Sequence, residues 1–496
     1  MLFNSFHFLC FFPVVLAVYF VIPKKGRYLW LLAASYFFYM SWDPGYALLL
    51  LFSTALTYVG SLLLSRWADR PGYKKAVIAV GLFANFGILF LFKYLDFATY
   101  TLQRILGKLG ITLAEPGFHL LLPVGISFYI FQAVGYLIDV YRGEIKPERN
   151  FLRYALFVSF FPQLVAGPIE RSANLLPQVK NLEHIKLWNT DRIRDGALIM
   201  LYGYVMKMVI ADRAAILVNT VFDVTAYARY QGITVWVAAI LFSLQIYCDF
   251  AGYTYIAIGA AKMMGIQLMN NFNTPYLSTS IKDFWDRWHI SLTSWFKDYL
   301  YIPLGGSRKG KGRKYLNIMM VFTLSGLWHG ASWHYVIWGA LHGSMRVVGE
   351  LTKKLRERLL SLLHVKVDVG SFQALRMVIT FVLVTIAWVF FRAESVRQSL
   401  DIVVSMFGQW NPWVLFDNSL LGLGLDGKDW NVLLLAVLLM VVVECFQYKR
   451  ISLPKVFARQ NLWFQMLIFY LGIMAVVIFG VYGPEYDATQ FIYFQF

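Results

Sequence analysis

The sequence predicts an all-α, polytopic integral membrane protein of about eleven to thirteen transmembrane helices. Three observations predict it. Of its 496 residues, 59% are hydrophobic and only 15% charged, where a soluble domain carries about a quarter. Uncharged apolar stretches, among them Ala47–Leu64, Ala76–Phe92, Met377–Phe391 and Leu433–Val443, approach with their flanks the roughly 20 residues that a bilayer-crossing helix needs. Lysine and arginine then gather in short clusters between those stretches, the pattern of the positive-inside rule.

A soluble chain of this length would make about three domains. This composition predicts instead a single transmembrane domain over residues 1–496, and it excludes disorder, a coiled coil and a disulfide scaffold. The net charge of +17 invites a nucleic-acid reading, but no basic face or recognition motif accompanies it, so no nucleic-acid partner is expected. Cys10, Cys248 and Cys445 stand alone in or beside apolar segments, which indicates neither a zinc site nor a disulfide.

The opening residues lack the basic segment of a cleavable signal, so Phe8–Ile22 is expected to remain as a membrane helix. Basic clusters at Lys24–Arg27, Arg66–Lys75, Arg142–Arg149, Arg308–Lys314, Lys353–Arg358 and Lys449–Arg459 all face the cytoplasm if the N-terminus lies outside. The linker Glu394–Trp430, with five acids against two bases, then falls outside, and both termini are expected to be extracytoplasmic. Between Phe151 and Trp188, Pro162, Gly167 and Pro168 break an apolar run. Such a break suggests a re-entrant element, tolerated only where protein or water covers the freed backbone groups. No internal repeat is evident.

The informative region runs from Tyr276 to His342. Ser280 followed by Asp283 reads as a capping box. From there Ile281, Phe284, Trp285, Trp288, Leu292, Trp295 and Phe296 recur at helical spacing, with Lys282, Asp283, Asp286 and Arg287 opposite. The pattern predicts one amphipathic helix ending near Pro303–Gly306. His289 points with its apolar face, either as a core histidine bonded to a carbonyl or as a functional group, because ionisable side chains in membranes are costly. His329 follows Ile318–Leu324 and is bracketed by Gly326 and Gly330, a bend where backbone approaches closely. A neutral imidazole there suits proton acceptance near neutral pH; the bland alternative is helix–helix packing through small residues. His334 and His342 read as packing or interfacial histidines, and His7, His119, His184 and His364 carry no signal. No HExxH spacing or cysteine–carboxylate cluster suggests a metal. Neither a GxSxG elbow nor a Walker loop occurs.

Several stretches are similar to the membrane-bound O-acyltransferase family, within it the alginate O-acetyltransferase branch. They are Phe161–Ile169, Asp249–Tyr253 with Ala257–Gly259, Asn271–Tyr276, Phe284–Leu292, Asp298–Tyr301 with Leu304–Gly306, and Gly326–Gly330. Leu2–Ser5 and the Phe491–Phe496 ending also look familial. The likeness spans nearly the whole chain in order, and Trp285-Asp-Arg-Trp-His-Ile-Ser291 and Gly326-Leu-Trp-His-Gly330 are its specific parts. One stretch departs: the alginate branch reads Gly-Tyr-Ser-Asp-Met-Ala where this chain has Gly252-Tyr-Thr-Tyr-Ile-Ala257, so Tyr255 stands for an acid.

The resemblance implies that His329 is the catalytic histidine and His289 its partner, in a catalytic region of about residues 245–345 around a central channel. It implies a bacterial inner-membrane enzyme in which a cytoplasmic acyl thioester such as acetyl-CoA meets an extracytoplasmic polysaccharide, with an SGNH-type acetyltransferase partner outside and no tightly bound cofactor. Acyl transfer to a hydroxyl needs a base and oxyanion stabilisation. His329 is the expected base and His289 the polarising group. Trp285, Trp288, Trp328 and Trp333 would line the passage against water or simply pack the bundle. Arg308, Lys309, Lys311, Arg313 and Lys314 would attract donor phosphates or merely anchor topology. Lys207 would snorkel or touch substrate, and Asp249 would line the channel or brace helices around the histidines. The runner-up is D-alanyl transfer from a carrier towards teichoic acid, whose branch is also non-acidic at the position of Tyr255. From other classes, a secondary transporter or flippase and a non-catalytic export scaffold remain.

Overall fold

A computed structural model describes residues 1–111, 120–165, 167–482 and 492. His119, Ala166 and all of the Phe491–Phe496 ending except Ile492 lie outside the described residues. Among those described, the secondary structure is helical and no strand occurs. The chain folds as two compact units, Met1–Ala197 with Ile256–Met269, and Leu198–Tyr255 with Asn270–Phe496.

The first unit holds α1 (Phe6–Val21), α2 (Arg27–Met40), α3 (Pro44–Arg66), α4 (Pro71–Leu89), α5 (Leu95–Gly107), α6 (Ile126–Arg142), α7 (Phe151–Ser159), α8 (Phe161–Leu164) and α9 (Ser172–Lys180). Local signals set their ends. Asp43 accepts the Gly45 N–H at 2.7 Å ahead of Pro44, and Asn150 accepts the Arg153 N–H at 3.1 Å, both side-chain N-caps. The break between α7 and α8 falls at Phe160, beside Pro162, with the last six residues of α7 and all of α8 buried. Their freed backbone groups find side chains. The Phe157 carbonyl accepts from Gln132 Nε2 at 2.6 Å and Gln163 Nε2 at 2.8 Å, and the Phe161 N–H reaches Ser35 Oγ at 3.1 Å. Broken helix at membrane depth needs this internal pairing.

The helix α10 (Thr190–Tyr204) continues through a wider π-turn, Val205–Ala211, into α11 (Asp212–Phe222), and α12 runs over Ile233–Met263. The second unit adds α13 (Ile281–Arg287), α14 (Ile290–Phe296), α15 (Gly310–His329), α16 (Trp333–Leu351), α17 (Lys353–Leu362), α18 (Gly370–Arg392), α19 (Val396–Met406), α20 (Gly427–Tyr448), α21 (Leu453–Ala458) and α22 (Leu462–Phe479). Asp426 caps α20 in a capping box with Asp429.

Six helical stretches among the described residues are long and apolar enough to cross a membrane: α3, α4 running on through α5, α12, α18, α20 and α22; α1 is a shorter apolar helix. The other helices are shorter or less uniformly apolar. The stretch from α10 to α11 carries Lys207, Asp212 and Arg213, and α15 begins on the Lys311–Lys314 cluster.

Candidate functional site

The amphipathic pattern from Ile281 to Phe296 does not fold as one helix. It breaks at His289, whose backbone adopts the left-handed conformation, φ 43° and ψ 52°, between α13 and α14. Neighbouring chain repairs the break. The Ile290 N–H donates to the Asn271 carbonyl at 2.9 Å and the Asn273 N–H to the Arg287 carbonyl at 3.0 Å. The Asn271 side chain also accepts from Ser291 Oγ at 2.5 Å. Apolar periodicity missed this because both halves keep helical spacing and the competing partner comes from upstream. The start behaves nearly as expected: Ser280 accepts the Asp283 N–H at 3.1 Å, while the reciprocal arm goes to the Thr279 N–H at 3.0 Å.

His329 is the last residue of α15, and Gly330 beyond it is extended. The bend expected there lets α15 and α16 pack closely. A Cβ built on Gly326 would lie 2.2 Å from the Tyr335 carbonyl oxygen and 3.1 Å from the Gly339 Cα. Small residues thus do serve packing, and the same packing carries the imidazole inward. His289 and His329 are 0% and 2% exposed.

The two imidazoles come together, with ring centroids 6.3 Å apart. Trp328 lies against both, 5.8 Å from His289 and 4.9 Å from His329. His329 also meets Trp338 at 5.1 Å and Phe391 at 5.3 Å, both edge-on. Phe250 of α12 stands edge-on to His289 at 4.7 Å. The surroundings are therefore aromatic and buried, with two nitrogen-bearing rings set edge-to-face, their planes 64° apart. Imidazole nitrogens can accept or donate a proton, so the pair is equipped for general acid–base work.

The other expected lining residues divide. Trp285 and Trp288 are buried, but Trp285 packs on Phe322, Trp338 and His342, and Trp288 on Phe272, Phe284 and Trp388. Trp333 begins α16 and is 49% exposed. Asp249 is buried in an ion cluster: Lys207 Nζ stands 2.6 Å from Asp249 and 2.8 Å from Asp212. Lys207 is therefore buried rather than snorkelling. Gly252 permits this, since a Cβ there would meet the Gly203 carbonyl at 2.8 Å and the Lys207 N–H nitrogen at 3.0 Å. Of the basic cluster, Arg308, Lys309, Lys311 and Arg313 are exposed, whereas Lys314 pairs with Glu350, which also binds Arg346 at 3.0 Å. His334 packs with Nδ1 3.0 Å from the Phe390 carbonyl. His342 is wholly buried, not interfacial.

Residues that sequence reading passed over include Trp338, Phe391 and Phe250, ordinary apolar residues in a chain full of them. Glu444 offered a better signal, a single carboxyl inside the apolar run of α20. It is 5% exposed and accepts a hydrogen bond from the Tyr247 hydroxyl. Tyr247 in turn packs on Phe272 and Trp288. Among the described residues, no group of three or more His, Cys, Asp or Glu is placed to hold a metal.

The model of the membrane-bound O-acyltransferase family matches residues 144–391, a span that contains both histidines. The chain is similar to the probable alginate O-acetylase of Pseudomonas putida, 38% identical over 411 residues, 82% of this chain and 80% of the relative. It is also similar to the peptidoglycan O-acetyltransferase of Helicobacter pylori, 36% identical over 82% of this chain and 80% of the relative. The teichoic acid D-alanyltransferase of Bacillus subtilis is 30% identical over 46% of this chain and 59% of the relative.

Proposed function

The chain belongs to the membrane-bound O-acyltransferase family, and from that premise we propose that it moves an acetyl group from a cytoplasmic thioester towards hydroxyls of an extracytoplasmic polysaccharide. The 6.3 Å approach of His289 and His329 carries the reading. His329 takes the proton of the acceptor hydroxyl as its oxygen attacks the thioester carbonyl. His289 donates to the oxygen that gains charge. When the carbon–sulfur bond breaks, the imidazolium of His329 returns its proton to the leaving thiolate, so charge and protons balance. Trp328, Trp338 and Phe391 keep water from the thioester.

Acetyl is preferred to D-alanyl because the acetyl-transferring relatives match 82% of the chain and the D-alanyl one 46%. The donor is acetyl-CoA or a similar thioester, and a secreted SGNH-type partner completes delivery. In this reading the protein sits in a bacterial inner membrane with both termini outside, and Arg308, Lys309, Lys311 and Arg313 face the donor's side.

The experiment is to supply membranes containing the chain with acetyl-CoA labelled in the acetyl group and isolate the exported polymer. Ester-linked label released by mild base is expected, and its loss in His329→Ala at equal protein level. A His329→Ala chain that labels polymer at the normal rate would overturn the mechanism; label arriving only from D-alanyl carrier protein would overturn the acetyl assignment.

A further inference from the structure

The helix α17, between the second helix of the α15–α16 hairpin and the apolar α18, has no buried residue. Leu355, Leu359, Leu362 and Leu363 are 59%, 49%, 70% and 68% exposed. Their spacing, i, i+4, i+7 and i+8, puts them on one stripe. Lys353, Lys354, Arg356 and Arg358 occupy the remaining faces, and the one acid of the helix, Glu357, lies 3.7 Å from Lys353. The helix is tied back at its first turn, where Arg356 donates to the Gly349 carbonyl at 2.8 Å.

An exposed leucine stripe flanked by cations matches an amphipathic helix lying in the lipid–water interface. Two further facts select the bilayer as its occupant. The helix follows α16 with Thr352 alone between them, and α18, apolar enough to cross, begins at Gly370, so a membrane-crossing segment starts within a short loop of the helix's end. The Lys314–Glu350–Arg346 cluster joins the start of α15 to the end of α16, which adds exposed Arg308, Lys309, Lys311 and Arg313 to the same end of the hairpin. A surface this positive is complementary to anionic phospholipid headgroups, and its leucines to the acyl chains beneath.

We propose that α17 is a surface helix that binds the anionic phospholipid of the leaflet it faces, its leucines sunk among acyl chains and its cations on lipid phosphates. Coenzyme A and acidic proteins share the phosphate or carboxylate chemistry but offer no acyl-chain layer for the leucine stripe. The proposal depends on the membrane setting alone and stands whether or not the acetyl reading does.

The full chain is placed in nanodiscs of phosphatidylcholine, or of phosphatidylcholine mixed with phosphatidylglycerol, and amide hydrogen exchange is followed over residues 353–363. Exchange is expected to slow about tenfold or more in the mixed discs and to quicken again in high salt. K353Q/K354Q/R358Q, which spares the Arg356–Gly349 bond, is expected to lose the slowing, as is L355S/L359S/L362S. Equal exchange in the two discs overturns the proposal. So does slowing in phosphatidylcholine discs on adding coenzyme A or inorganic phosphate, or slowing that appears only with an acidic carrier protein.

Discussion

Trp285 donates its indole N–H to Nδ1 of His342 across 3.2 Å, and the bond decides which nitrogen of that imidazole carries hydrogen. With Nδ1 accepting, the neutral ring bears its proton on Nε2. Trp338 stands 5.0 Å from His342 on one side and 5.1 Å from His329 on the other. Trp285→Phe removes the donor and leaves Nδ1 buried and unpaired, a loss of about 1–3 kcal/mol. Thermal unfolding in detergent measures it. The double variant with His342→Phe is expected to lose less than the sum of the single ones, since both abolish the same bond.

The left-handed turn at His289 separates backbone from side-chain contributions. Asparagine tolerates this conformation far better than β-branched residues. His289→Asn is therefore expected to fold with near-normal stability and to lose at least about tenfold in acyl transfer if the imidazole polarises the carbonyl. His289→Val should unfold earlier by about 1–3 kcal/mol from strain at the turn. A fully active His289→Asn would reduce His289 to a turn residue.

Lys207 sits between two buried carboxylates. Removing its charge in Lys207→Met leaves Asp212 and Asp249 facing each other without it, a cost of about 3–5 kcal/mol. Asp249→Asn keeps the Lys207–Asp212 pair and should be milder. Folded yield and melting temperature in detergent should rank the two variants in that order.

Gly326→Ala tests the close packing that delivers His329. The added methyl would meet the Tyr335 carbonyl oxygen at 2.2 Å, so α15 and α16 must part, at about 1–3 kcal/mol, and acyl transfer should fall with the displaced imidazole. Gly349→Ala is the control on α16: nothing lies within 4 Å of its Cβ, and both stability and activity should hold.

Much of this could be read from the amino acids, for identifiable reasons. His289 and His329 stood out because imidazoles are rare and costly in apolar surroundings, and because glycines bracket His329. The spans α3, α18 and α20 followed from uninterrupted apolar runs. What could not be read depends on partners distant in the chain. The helix break at His289 exists because Asn271 and Asn273 pair with its backbone. Trp338, Phe391 and Phe250 became site residues only when α16, α18 and α12 met. Four tryptophans drew attention by residue type, yet only Trp328 lies against the two imidazoles, while Trp333 is half exposed.

The breaks at Phe160 and His289 bear on how the chain is assembled during synthesis. The side chains and carbonyl that satisfy them belong mostly to Ser35, Gln132 and Asn271, every one of which leaves the ribosome earlier than the break it serves. Each discontinuous segment thus follows, along the chain, most of the groups that pair its broken backbone, so that pairing needs little chain made after it.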